Sequence, residues 1–264
     1  MSKIVTLMTD FGYKDAYTGV MKGVIINIIK DVDIIDLTHN IDPYNITSAA
    51  YILYTAWDYF PKGAVFITVV DPGVGSLRKE IITMVDGKYL ITPDNGILSL
   101  LFKKKGKQRV YQIKKEEIYK ITKRNFSPTF HGRDIFAPAG AIILKYGLNK
   151  ISGIKIDPLI INDFNLEINK DCHVIKGKII HIDRFGNCIT SISREDTREL
   201  ILKNILNITK RKIYIKNICK NFTDTAVGGK VIYWGSSGFL EIAVRNGNAC
   251  KSLKLSQGDE VVLC

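Results

Sequence analysis

Over the first 150 positions, short apolar runs alternate with longer stretches in which apolar residues recur at helical spacing. KIVTLMT (Lys3–Thr9), DIIDLT (Asp33–Thr38) and AVFITVV (Ala64–Val70) have the length and β-branched content of buried strands. Between them, Asp15–Ile29 and Asn45–Phe60 read as helices. Strands alternating with helices of this length predict βαβ units and a mainly parallel sheet. Ile81–Val85 and Lys88–Thr92, split by Asp86-Gly87, predict a hairpin on that sheet. A last helix is expected from about Gly132 to Tyr146, with Pro138 marking either a kink or a later start.

After Gly147 the rhythm changes. Residues 148–171, rich in turn formers such as Gly153, Asp157-Pro158 and Asn162-Asp163, read as a connection. From His173 onward short alternating segments recur: VIKGKIIHID, NCITSI, KIYIKNI, KVIYWG, FLEIAV and DEVVLC. Gly and Asn/Asp clusters separate them, and only Arg194–Leu206 reads as helical. The expected architecture is an α/β N-terminal domain with a mainly parallel central sheet flanked by helices, over 1–160. A smaller all-β, barrel-like C-terminal domain follows over 161–264.

Composition narrows the class. With 264 residues, 46% hydrophobic and 24% charged, the chain can bury a real core and is not of disordered composition. No apolar run approaches the roughly 20 residues that span a bilayer, so no membrane partner is expected. The N-terminal MSKIVTLMTDFG lacks the long apolar region and cleavage site of a signal peptide. The five cysteines, all beyond residue 171, form no CxxC pair and no zinc-like cluster, so they read as free thiols and no metal site is expected. A cytoplasmic protein is the expectation.

The net charge of +12 raises nucleic acid as a partner. Ten Lys/Arg against two acids fall in residues 103–124, and six Lys/Arg with no acid in 203–220, while the remainder holds 22 basic and 24 acidic residues. Charge so localised, with few interleaved aromatics, reads as a solvated basic face, and no nucleic acid is expected.

Candidate chemistry lies at the strand ends, because ligands of open parallel sheets bind beyond the carboxyl ends of the strands. Asp10 and Asp71 each follow an apolar run and precede a Gly-containing turn, a place where an Asp also serves simply as a turn cap. In VVDPGVGSLRK, Pro72, Gly73 and Gly75 make a tight loop that is neither a dinucleotide fingerprint nor a phosphate loop, and Arg78 can fold back toward Asp71. His131, in SPTFHGRDIFAP, stands where a helix begins, which lowers a histidine pKa and favours a neutral imidazole able to accept a proton. A capping or core histidine is the alternative. No Gly-x-Ser-x-Gly elbow is present.

Six segments in order, MTDFGYKDAYTGVMKGVI, ITVVDPGVGSLRK, YLITPDNGILS, PTFHGRDIFAPAGA, HIDRFGNCITSI and GSSGFLEIAV, resemble the adenosine-forming S-adenosylmethionine hydrolases, the SAM hydroxide adenosyltransferases. These are relatives of the SAM-dependent fluorinase and chlorinase. The resemblance spans nearly the whole chain.

What the resemblance implies is hydrolysis of S-adenosyl-L-methionine to adenosine and L-methionine, by attack of an activated water or hydroxide on ribose C5′. Asp71, Arg78 and His131 match the trio linked to the nucleophilic water. Asp10 matches the residue holding both ribose hydroxyls, and Tyr44 and Asp71 fall where the halogenases place aromatics beside the ribose. Phe130 would line the pocket near C5′. Gly132 replaces a halide-contacting Ser of the fluorinase, which argues against a halide nucleophile. Phe185 and Asn187 resemble the adenine site, and Asp183 and Ser236 the methionine amino and carboxylate contacts, although Ser237 replaces a fluorinase Arg. The resemblance further implies a homotrimer with inter-subunit active sites, S-adenosyl-L-methionine as substrate, and no cofactor. The rival readings are a chloride-using halogenase and a non-catalytic adenosyl-ligand binding protein.

Overall fold

The computed structural model describes residues 3–203, 205–208, 213–216 and 218–264. They form two compact units, up to Ile161 and from Asn162 onward, each described by itself.

The first unit is built on a seven-stranded sheet. Its elements are β1 (Ile4–Thr9), α1 (Tyr17–Ile28), β2 (Asp33–Thr38), α2 (Ile46–Trp57), β3 (Val65–Val69), β4 (Glu80–Val85), β5 (Lys88–Pro93), α3 (Ser99–Lys105), β6 (Val110–Ile113), α4 (Lys115–Thr122), α5 (Ala137–Tyr146) and β7 (Ser152–Ile156). The strand order is β2-β1-β3-β5-β4-β6-β7. The first four run parallel, and β4, β6 and β7 add on antiparallel. The expected hairpin is β4–β5, with Val85 opposite Lys88.

Period-two alternation explains how both faces are covered. Val5 and Leu7 of β1, with Val65, Ile67 and Val69 of β3, pack under α1 and α5. Met8, Phe66 and Val70 face the other way, against Ala49, Leu53 and Trp57 of α2 and Leu98 and Leu101 near α3. Trp57 is fully buried with its ring 4.5 Å from Phe66, and truncating such a residue costs about 3–5 kcal/mol. Asn45 starts α2 by accepting the Ser48 N–H at 3.0 Å, a cap contributing about 1 kcal/mol.

One expectation is corrected here and another gains detail. Residues 148–171 are more than a connection, since β7 completes the first sheet on β6. The helix from Gly132 begins as one π-helical turn, Gly132–Phe136, and continues as α5. Pro138, which has no N–H to donate, lies where the wide turn hands over to the α-helix, so the helix starts early.

The basic stretch 103–124 is laced with ion pairs: Lys105 with Asp58, Lys107 with Asp157, Lys120 with Glu117, and Lys115 with the buried Glu80. The second basic stretch, 203–220, lies partly outside the described residues.

Among the described residues the second unit is a curled sheet of β8 (Glu167–Asn169), β9 (Val174–Ile182), β10 (Cys188–Ser193), β11 (Ile205–Ile208), β12 (Ile213–Lys216), β13 (Ile218–Cys219), β14 (Lys230–Trp234), β15 (Phe239–Val244) and β16 (Glu260–Leu263), with one short α-helix, α6 (Ala249–Leu253). The order β12-β11-β16-β9-β10-β15-β14-β13, with β8 on β9, and the approach of β12 to β14 make it barrel-like. Its core is Ile and Leu from alternate strand positions, such as Ile175, Ile179, Leu240 and Ile242.

The helix expected over Arg194–Leu206 does not form. Among the described residues, a 3-10 turn, Glu195–Thr197, is followed by irregular chain over 200–203, and in β11 Leu206 and Ile208 point into the core. Ser193 and Asp196 cap this turn reciprocally, the Asp196 carboxylate accepting the Ser193 N–H at 3.0 Å, but the pairing of β11 with β16 claims the later residues as strand. Among the described residues no helix is long and apolar enough to cross a membrane. No disulfide joins the five cysteines, and burial pushes the Cys188 thiol up to about 12.

Candidate active site

Register places the first two carboxylates. Thr9 of β1 lies opposite Val69 of β3, so Asp10 and Asp71 leave the sheet at the same edge. Asp10 accepts the Tyr44 N–H at 2.9 Å, and Tyr44 adopts φ +67°, an unusual conformation for a non-glycine residue. Burial holds the Asp10 carboxyl above its usual range, opposed by the Tyr44 N–H and reinforced by the Asp71 charge.

The loop after Asp71 turns back as its glycines allow. Gly75 sits at φ +77° against the Pro128 carbonyl, where an added Cβ would stand 2.5 Å from that oxygen. Only glycine permits this approach, which lays the Arg78 loop against the segment leading to His131. Arg78 then grips Asp71 with two nitrogens, Nε to Oδ1 at 2.8 Å and Nη2 to Oδ2. Nη2 also lies 2.8 Å from His131 Nδ1, and Nη1 donates to Glu80 at 2.9 Å. The guanidinium packs over the Phe136 ring.

The three residues singled out in the sequence therefore meet. They do not play equal parts in the surface: Asp71 and His131 line a cavity of about 340 Å³, while Arg78 sits behind them. Phe11, Tyr17 and Phe130 form its aromatic wall, their rings meeting edge to face at 5.2–5.9 Å. Gly132 closes the floor, where an added Cβ would meet Phe130, Met21 and Phe11 at 3.2–3.4 Å. His131 occupies the N-cap of the helix as expected. Its pKa is lowered chiefly by burial and next by the Arg78 charge, rather than by the helix terminus that the sequence reading invoked.

Sequence reasoning missed Glu80 and Lys115. Glu80, at the start of β4, is 1% exposed, and its Oε1 lies 3.0 Å from His131 Nδ1 and 2.9 Å from Lys115 Nζ. No motif marks Glu80; only the β4–β6 pairing brings the Lys115 helix beside it.

The second unit carries the remaining candidates. The Asp183 carboxylate closes its own turn, accepting the N–H groups of Phe185 and Asn187 at 2.9 and 2.8 Å and the Asn187 side-chain amide at 2.8 Å. Phe185 is thereby presented 75% exposed. Gly186, at φ +85°, lies so close to Asn248 that any side chain would collide with it. Phe185 and Asn187 line an open hollow with Phe222, Asn246 and Asn248, three residues the sequence reading did not mark. Ser236 is exposed on the β14–β15 turn, which is closed by the Gly238 N–H on the Gly235 carbonyl.

The two units correspond to two family models. Residues 5–152 match the SAM hydroxide adenosyltransferase N-terminal domain and residues 177–262 its C-terminal domain. The chain belongs to the SAM hydroxide adenosyltransferase family. A relative from Methanocaldococcus jannaschii, named (R)-S-adenosyl-L-methionine hydrolase, is 39% identical, with 98% of this chain and 94% of that protein covered. One of the same name from Thermus thermophilus is 32% identical, with 98% of each covered. A solved structure of an uncharacterized conserved protein from Thermotoga maritima superposes with a TM-score of 0.86 at 32% identity, covering 98% and 99%. Fluorinases in this family are more distant, that of Nocardia brasiliensis being 25% identical.

Proposed function

We propose that this member of the SAM hydroxide adenosyltransferase family hydrolyses S-adenosyl-L-methionine to adenosine and L-methionine, water attacking C5′ in line with the departing sulfur. The observation that carries this reading is the Asp71–Arg78–His131 chain of contacts at an aromatic-walled cavity. The relatives named hydrolases support it over the halogenase reading, as does the tight Gly132 floor, where the halide-contacting Ser of the fluorinase would fit only if Phe130, Met21 and Phe11 gave way.

The sulfonium makes methionine a neutral leaving group, so the step needs neither a general acid nor a metal or other cofactor. The task is to hold a water behind C5′ and draw off its proton. His131 is assigned the proton and Asp71 a place beside the water, while Arg78 grips Asp71 from behind and stands beside His131. General-base help of this kind contributes roughly 10²–10⁴-fold. Asp10 is assigned the ribose hydroxyls, with Tyr44 beside them and Phe130 near C5′. Phe185 and Asn187 are assigned adenine, Asp183 the methionine amino group through its remaining acceptor capacity, and Ser236 the carboxylate. A homotrimer, each site completed by a neighbouring subunit, belongs to the same proposal, and light scattering tests it. A cytoplasmic setting fits five cysteines that form no disulfide.

The deciding experiment incubates pure protein with each sulfonium epimer, with and without high chloride, and identifies the nucleoside. Equimolar adenosine and methionine support the reading. Formation of 5′-chloroadenosine would make the protein a halogenase, and bound, unconverted substrate would make it a binding protein.

A further inference from the structure

Glu80 is a buried carboxylate at the centre of the site to which neither the family motifs nor the relatives' names give a role. Its Oε1 gathers three nitrogens: Arg78 Nη1 at 2.9 Å, Lys115 Nζ at 2.9 Å and His131 Nδ1 at 3.0 Å.

His131 Nδ1 thus has two neighbours with opposite demands. The Arg78 guanidinium can only donate, so its 2.8 Å contact requires a lone pair on Nδ1 and leaves the hydrogen on Nε2. An ionised carboxylate can only accept, so the 3.0 Å contact requires a hydrogen on Nδ1 and leaves a lone pair on Nε2. A neutral imidazole meets one demand at a time. No described residue bonds Nε2, and His131 lines the cavity, so the choice at Nδ1 decides what the cavity meets. Only the Glu80-held form offers a base.

We propose that Glu80 is the positioning carboxylate that turns His131 into a base, with Arg78 as its competitor for Nδ1 and Lys115 as its charge partner. The inference rests on the reading that His131 takes the proton of the attacking water. In the step, the water oxygen bonds C5′ while the C5′–S bond breaks and its electron pair stays on sulfur, giving neutral methionine. The water proton passes to Nε2. The resulting imidazolium keeps its Nδ1–H on Glu80 and then releases the Nε2 proton to solvent, restoring the start.

The charged groups around the ring are Asp71 after β3, Arg78 in the loop before β4, Glu80 at the start of β4, Lys115 on α4 and Asp134 in the π turn. Glu80 and Asp71 favour the imidazolium, whereas Arg78 and Lys115, like burial, oppose it. Removing Glu80 or Lys115 charge must therefore move the titration of His131 in opposite directions.

The test uses the full-length protein. Adenosine release at saturating S-adenosyl-L-methionine is followed against pH for wild type, Glu80→Gln and Lys115→Gln. In parallel, ¹⁵N-histidine NMR reads the tautomer of His131, one of only four histidines, assigned by the loss of its signal in His131→Asn. Glu80→Gln should lower kcat at least tenfold, to roughly the low end of general-base contributions, with KM changed less than about twofold. Its acid limb should move to lower pH, and that of Lys115→Gln to higher pH. Wild-type His131 should populate the Nδ1–H form, and Glu80→Gln should shift it to Nε2–H.

Limbs that stay put or move together would overturn the proposal, as would a kcat loss with an unchanged tautomer. Wild-type turnover with His131 held wholly as Nε2–H would overturn it without any variant, so the test survives a variant that does not fold. Wild type that releases no adenosine would sink the hydrolase reading instead, while NMR still decides whether Glu80 controls Nδ1.

Discussion

Arg78 holds Asp71 through a two-nitrogen fork while the same Nη2 reaches His131 Nδ1 at 2.8 Å, so one guanidinium fixes the spacing of both cavity-lining groups. A lysine can place a charge there but cannot form the fork. Arg78→Lys is expected to cut adenosine release by at least tenfold, and Arg78→Ala further, within roughly the 10²–10⁴ range of lost general-base help. Nucleoside binding, followed by calorimetry, should remain detectable in both. Wild-type turnover in Arg78→Lys would show that the charge alone suffices.

Asp10 tests the ribose assignment separately from the chemistry. Its carboxyl is raised by burial, so the folded state holds its proton more readily than the unfolded chain does. Ionised Asp10 therefore costs stability, and that cost is relieved as pH falls through the raised pKa. Asp10→Asn keeps an acceptor for the Tyr44 N–H and removes the charge. It should retain or raise the melting temperature while weakening adenosine binding, and unchanged affinity would take Asp10 out of the ribose site.

His131 sets the pH dependence. With its pKa held below the usual 6.5, the neutral base should persist below that pH, and the acid limb of kcat should fall on the acid side of an ordinary histidine. The stability sign is the reverse of a salt-bridged histidine. Below the unfolded pKa the unfolded chain binds the extra proton, so stability falls as pH drops through that point. His131→Gln should lose turnover and flatten this part of the stability profile, as read by denaturant unfolding between pH 5 and pH 8.

How much of this was legible in the sequence follows from how local each signal is. The β1, β2 and β3 runs, their closing turns and the start of the second helix near Asn45 are set by neighbouring residues, and they stand where the pattern put them. The short strands VYQI and SGIKI were missed because four or five residues with polar interruptions carry no periodicity, and only the sheet edge left by β4 makes them strands. At Arg194–Leu206 helical spacing and a Ser193–Asp196 cap were present, but only one turn forms because strand pairing in the barrel claims Leu206. In the site, Asp71 and His131 carried turn and helix-start signals. Glu80 carried none, because a buried carboxylate is explained only by partners far along the chain: His131 and Lys115.

Gly132 tests the floor of the cavity. A Cβ there would press on Phe130, Met21 and Phe11, so Gly132→Ser must push the aromatic wall outward. Overpacking of this kind costs about 1–3 kcal/mol. The variant is expected to melt earlier and to turn over more slowly without gaining 5′-chloroadenosine in high chloride. Appearance of that product would mean that one hydroxyl selects between water and halide.

The central claim is that water is the nucleophile at C5′, and the most direct measurement is turnover of S-adenosyl-L-methionine in H₂¹⁸O with mass spectrometry of both products. The account predicts adenosine carrying one ¹⁸O at its 5′ oxygen and methionine carrying none. Unlabelled adenosine, or label in methionine, would contradict it.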